Sequence, residues 1–354
     1  MKKLNTAEMT EGPFLKKMIL FAIPVTLTGL LQIVYNTADT AVVGQFAGKT
    51  ALAAVGSTGS MISLIVNLFT GLSMGAGVLT ARMLGAKNSE GVRRTVHTAM
   101  ALSLISGFSI CLLGIAFSPV LLKWMQAPPD TIGLSTLYVR IYFLGAPGSM
   151  AFNFGAAIIR ATGDTGRPLK YLAASGLVNV LLNLFAVIVL HWGVAGVAVA
   201  TVTSQYLTAI LAVRRLMRTD GDVRLSPRDI RFFRAETRVI LGIGVPAGLQ
   251  NALFSVSNVI IQSNVNSFGS DAMAGISAGS NYDAYIYTAT NGFTQAGMTF
   301  ISQNVGAKKQ ENIRKIWLIS LCCASIAALS LESLGYLLRG RIVSIFTADP
   351  AVAA

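Results

Sequence analysis

A chain of 354 residues that is 53% hydrophobic and only 12% charged, with a mean hydropathy of +0.62, does not read as a soluble domain. Soluble domains carry roughly 25% charged residues. The net charge of +13 suggests nucleic acid at first, but the basic residues punctuate long apolar runs and form no single basic face. Cys111, Cys322 and Cys323 lie inside apolar runs without metal-ligand spacing, so they read as small packing residues.

In chain order the apolar runs fall at 17–43, 51–80, 95–119, 131–157, 171–191, 193–213, 239–266, 272–302 and 313–338. A helix needs about 20 apolar residues to cross about 30 Å of hydrocarbon. Every run reaches that length. The sequence therefore predicts an all-α integral membrane protein, a polytopic helical bundle of about nine spans. The first run is too long, and lacks a small-residue cleavage site, to be a removable signal peptide. All but five of the 28 Lys and Arg precede the first run or follow the second, fourth, sixth and eighth. The five are Lys49, Lys123, Arg140, Arg339 and Arg341. This bias predicts a multi-pass protein of the plasma (inner) membrane with a cytoplasmic N-terminus. It leaves membrane lipids as partners and no nucleic acid.

The chain repeats itself. RMLGAKNSEGVRR (82–94) recurs as QNVGAKKQENIRK (303–315), with Gly85 and Gly306 221 positions apart. Pro24 recurs as Pro246, and ALAAVG (51–56) as AMAGIS (272–277). The period predicts two parallel six-helix repeats with the working site between them. Residues 1–215 would form the first lobe, 216–238 a cytoplasmic linker, and 239–354 a second lobe holding three spans of its unit. By this arithmetic the second repeat is incomplete, and the chain reads as a carboxy-terminally shortened twelve-span protein. In the linker, SPRD (226–229) has the pattern of a helix start, and RFFRAETR (231–238) that of a short basic surface helix.

Ionisable residues inside spans cost about 2.5–3.5 kcal/mol on insertion scales and point to function. Asp39 is one. Asn179 and Asn183, four apart, share a helix face. With the Thr201 hydroxyl and the Asp39 carboxylate, these oxygens suit either a proton or a hard cation such as Na+. In NYDAYIYTATN (281–291), Asp283, Tyr287 and Asn291 fall on one face, suited to a flat organic cation. Glu332 and Arg140 read as residues near span ends. Gly71 with Gly75, and Gly244 with Gly248, permit close helix approach. Pro24, Pro147 and Pro246 are candidate kinks. GQFAGKT (44–50) resembles a phosphate loop but is one residue short between its glycines. His97 and His191 begin no metal motif, Asp164 and Arg167 belong to a tight turn, and no Ser/His/Asp set converges, so nothing indicates an enzyme.

The YNTADTAVVGQFAG run (35–48), GLSMGAGVLTARMLGAK (71–87), YVRIYFLGAP (138–147) and RATGDTGRP (160–168) resemble the MATE family, the multidrug and toxic compound extrusion antiporters, of the bacterial type. VNVLLN (178–183) and GVAGVAVAT (193–201) add to the likeness. The resemblance implies two lobes in a V around a central cavity. It implies a protein, monomeric when full length, that exports small organic cations or drugs as H+ or Na+ enters, with no other cofactor. It matches Asp39, Tyr138, Asn179, Asn183 and Thr201 to the ion-coupling positions. Several relatives carry Asp where this chain has Asn183, which removes one charge from the site. A lipid-linked oligosaccharide flippase-like exporter would need a more cationic cavity. A non-functional truncated remnant is the other alternative.

Overall fold

The computed structural model describes residues 9–124, 131–266 and 270–338, the side chains at 259 and 262–281 excepted. The helices are α1 (Phe14–Val42), α2 (Lys49–Gly85), α3 (Ser89–Trp124), α4 (Ile132–Leu144), α5 (Ala146–Ala161), α6 (Gly166–Leu184), α7 (Gly193–Met217), α8 (Arg234–Asn266), α9 (Ser270–Gly306) and α10 (Gln310–Leu337). Two wide π-helical turns extend α1 through Val43–Ala47 and α6 through Phe185–Val189.

All nine expected segments fold as helices. Among the described residues seven helices are long and apolar enough to cross a membrane, and α4 with α5 passes as a pair bent by 45°. Pro147 lies in the first turn of α5, where its missing N–H and fixed φ favour a break. Pro24 and Pro246 sit inside α1 and α8. The 272–302 run has side chains described only from residue 282 onward. It forms the 37-residue α9, but its described residues are not apolar enough for a span. Asp283, Asn291, Gln295, Gln303 and Asn304 interrupt it.

The repeated GAK motif has a structural reason. Lys87 and Lys308 both take positive φ, 53° and 57°. Each lets the chain reverse after a long helix, as a left-handed residue past a helix C-terminus commonly does. The bonds match: Lys87 N–H donates to the Leu84 carbonyl at 3.0 Å and Lys308 N–H to the Val305 carbonyl at 3.2 Å.

Two glycine seams join the repeats. At α2 and α8, a Cβ on Gly71 would lie 2.2 Å from the Gly248 nitrogen, and one on Gly75 would lie 2.5 Å from the Ile240 oxygen. The Gly71/Gly75 and Gly244/Gly248 patches therefore face each other backbone to backbone, which small residues alone permit. At α1 and α9, Gly292 meets Thr26 and the Ala22 carbonyl. Phe21 packs edge-on against Phe300 beside it, centroids 5.8 Å apart. Where α2 crosses α9, Gly85 meets the Gln303 carbonyl and Gly306 meets the Arg82 carbonyl.

Two straps close the end of the bundle that carries the basic connections. Residues 9–11 lie on the α9–α10 turn. Asn304 Nδ2 donates to the Met9 carbonyl, Asn312 Nδ2 to the Thr10 carbonyl, and Lys309 Nζ pairs with Glu11 at 2.8 Å. The linker lies on the α2–α3 turn. Ser89 Oγ donates to Asp222 at 2.8 Å, and Arg93 pairs with Asp229 at 2.6 Å. His97 is buried there. Its Nε2 accepts the Ser226 N–H at 3.1 Å, so its Nδ1 is the nitrogen left to donate to the Arg93 carbonyl at 2.7 Å. Val223 and Leu225 anchor the strap in the core shared by α2, α3, α5 and α7.

The linker corrects one expectation. SPRD forms only a 3-10 turn, Pro227–Asp229, without a side-chain cap from Ser226. RFFRAETR forms no separate surface helix: residues 230–233 are irregular and Arg234 opens α8 itself. The Ser226 backbone is held by His97, which fixes the strap without a helix. Lys2, Lys3, Arg339 and Arg341 lie outside the described residues.

Candidate functional site

α1, α6 and α7 converge on Asp39. Gly176 permits the contact of α1 with α6, because a Cβ there would lie 1.9 Å from the Tyr35 ring. Tyr35 donates its hydroxyl to the Ala173 carbonyl at 3.3 Å. One turn beyond Tyr35, the Asp39 side chain enters the interior with only 8% of its surface exposed. Asn183 Nδ2 donates to Asp39 Oδ1 and also to Asn179 Oδ1, the latter at 3.3 Å. The Thr201 hydroxyl, on α7, lies 3.4 Å from Asp39 Oδ2 and 2.9 Å from the Val197 carbonyl. Asn179 and Asn183 are buried. The two π-helical turns follow at once on α1 and α6 and touch each other; such turns often mark functional sites.

The cluster holds no counter-charge. Asp39 has no ion pair among the described residues, and its partners are an amide and a hydroxyl. Asn183 Oδ1 is buried without a hydrogen-bond partner. Burying a lone charge costs several kcal/mol per ion even after relaxation. A proton or a small cation on the carboxylate removes that cost. The Asp39 carboxylate, Asn183 Oδ1, Asn179 Oδ1 and Thr201 Oγ1 are all hard oxygen donors. No group of three or more His, Cys, Asp or Glu suited to a metal occurs among the described residues. Amide and hydroxyl oxygens thus outnumber carboxylates here.

Tyr138, on α4, is buried beside this cluster and within electrostatic reach of Asp39, without a hydrogen bond to it. Its ring tilts against Tyr142, centroids 6.1 Å apart. Tyr142 in turn interacts with Gln205, whose Oε1 is buried without a partner. Sequence reasoning missed Tyr142 and Gln205. The signal was present: each stands four residues after an expected site residue, Tyr138 and Thr201, and so on the same helix face.

The second expected set is not part of this cluster. Asp283 and Tyr287 are exposed on α9 and Asn291 is half-buried. The face of α9 toward α1 is instead that of Thr288 and Gly292. Glu332 and Arg140 are exposed. GQFAGKT contains all but the first residue of the π-helical turn, Gly48 at φ 90° and the start of α2, a helix-to-helix corner with no strand before it. Asp164 caps its own turn, accepting the Arg167 N–H at 3.2 Å and pairing with the Arg167 guanidinium at 2.7 Å.

Comparison with known proteins gives a consistent answer. The MatE family model matches residues 24–185 and 246–354. The probable multidrug resistance protein YoeA of Bacillus subtilis is 26% identical over 355 residues, covering 98% of this chain and 76% of its own length. An FAD transporter of Shewanella oneidensis is 24% identical, with 97% of this chain and 77% of that protein covered. A solved MOP superfamily transporter from Pyrococcus furiosus superposes with a TM-score of 0.90 at 24% identity, over 99% of this chain and 78% of that one. The fold, the two gap-separated matched segments and the named relatives agree: this chain belongs to the MATE family of membrane transporters.

Proposed function

We propose that this chain works as a secondary active antiporter, exporting organic cations or drugs in exchange for H+ or Na+. The observation that carries the reading is the buried Asp39 carboxylate, held only by neutral donors beside an orphaned Asn183 oxygen. Such a group tolerates burial when neutralised and resists it when bare. Ion release therefore disfavours the arrangement that shields it, and ion binding favours it. That difference biases an equilibrium between two states, which is what coupling requires. Asp39, Tyr138, Asn179, Asn183 and Thr201 are the ion-coupling residues in this reading. Asp283, Tyr287 and Asn291 offer an acid and an aromatic face to a cationic cargo. The lobes are residues 1–215 and 239–354, joined by 216–238; the paired seams and turns support that division. The protein sits in the plasma membrane as a monomer with its N-terminus inside.

Uptake of a fluorescent organic cation into everted membrane vesicles tests the proposal. Asp39→Asn should abolish gradient-driven uptake while the protein remains folded and inserted. Collapsing the pH gradient or the Na+ gradient in turn identifies the ion. Equal gradient-driven transport by the wild type and Asp39→Asn would sink the role given to Asp39.

A further inference from the structure

The linker is strapped down, yet it leaves its arginines free. Arg228, Arg231, Arg234 and Arg238 are exposed, and none forms an ion pair among the described residues. Three acids at the strap are already engaged: Asp229 by Arg93, Asp222 by Ser89, and Glu90 by Arg94. RFFRAETR sets three arginines against the single acid Glu236. One of them, Arg231, is also pre-positioned. Arg231 and Arg94 both stack on the Phe233 ring, 4.7 and 5.5 Å from its centroid, a geometry that holds a guanidinium without neutralising it. The neighbouring Phe232 projects outward, 47% exposed. Directly beyond, α8 begins its apolar span, with Val239 and Leu241 exposed. Cationic side chains and an outward aromatic ring at the first turn of a membrane helix lie at headgroup depth.

We propose that the face formed by Arg228, Arg231, Phe232, Arg234 and Arg238 is a binding site for the headgroup phosphate of anionic phospholipids. The guanidiniums take the phosphate oxygens as paired donors, and Phe232 enters the acyl boundary beside it. The strap matters because a fixed scaffold binds without first ordering a loop. The site stands independently of the antiporter reading.

The test uses the full chain in neutral detergent, titrated with short-chain phosphatidylglycerol, phosphatidylcholine and glycerol phosphate, and read by the thermal unfolding midpoint. Phosphatidylglycerol should bind saturably and the other two at least about tenfold more weakly. Each arginine contributes about fivefold, so Arg228→Gln/Arg231→Gln/Arg234→Gln should weaken phosphatidylglycerol binding about a hundredfold. Arg234→Gln alone should weaken it about fivefold, should the triple variant fold poorly. A charge-matched control, Lys16→Gln/Arg314→Gln/Lys315→Gln, should bind as the wild type does. Equal loss in the control would show a bulk charge effect and overturn the site. So would equal binding of phosphatidylcholine or of glycerol phosphate.

Discussion

The two repeats share a scaffold and differ in their chemistry. Aligned on Pro24 and Pro246, α1 and α8 match at Leu31 and Leu253, Val34 and Val256, and Asn36 and Asn258. On that alignment Asp39 falls opposite Ile261. Asp39 is buried among polar side chains of α6 and α7, whereas Ile261 is 57% exposed. The turns repeat down to the positive φ of Lys87 and Lys308. Even so, only the first is followed by a buried histidine, His97, and its counterpart is Leu318. Each strap lies on the turn of the other repeat: residues 9–11 precede α1 but dock on α9 and α10, and the linker precedes α8 but docks on α3. The duplicated unit therefore supplies symmetric packing, and single side chains make one half chemically distinct.

The largest test transplants the second repeat's residue into the first. Asp39→Ile should reduce gradient-driven transport at least about a hundredfold, since no other carboxylate stands in the cluster to bind the ion. Vesicle uptake measures it, and retained transport would mean that the two halves differ less than their side chains do.

The two seams predict unequal costs. Gly71→Ala forces a methyl onto the Gly248 backbone at 2.2 Å, where nothing can rotate away. It should lose about 2–3 kcal/mol by overpacking. Gly292→Ala meets the Thr26 hydroxyl at 2.1 Å, a side chain that can turn, and should lose about 1 kcal/mol. Unfolding in detergent ranks them; the reverse order would refute the backbone-to-backbone seam.

The linker strap gives a smaller effect. His97→Phe leaves the Ser226 N–H without its acceptor and should cost about 1–2 kcal/mol. Protease cleavage within the linker should accelerate in step. The matching change on the other repeat, Leu318→Phe, should leave both readouts unchanged.

Least of all, both straps should weaken in acid. Lys309 holds the Glu11 carboxyl below its ordinary range, chiefly by hydrogen bonding, and Arg93 does the same for Asp229. A depressed carboxyl adds stability above its unfolded value, about 4, and loses it as pH falls through the lower folded value. Both groups are exposed, so the effect is small. Glu11→Gln/Asp229→Asn should flatten the fall in unfolding midpoint below pH 4.5; an unchanged slope would show that the straps do not depend on these pairs.

The membrane class, the long helices, the repeat and the costly polar residues were all legible in the sequence. Apolar length and periodicity are local properties, and a helix satisfies its backbone within its own segment. Four-residue spacing also placed Asn179 and Asn183 on one face. Which faces meet was a tertiary decision. Asp39 and Asp283 gave the same signal as lone acids in long helices, yet one is enclosed by α6 and α7 and the other is exposed. Gly85 and Gly306 were legible as a repeat, but not as residues whose helices cross, each glycine against the other helix's backbone. His97 was a lone histidine until the linker folded back onto it. Periodicity fixes the direction of a side chain around its own helix axis, and only the packing of separate helices supplies what lies in that direction.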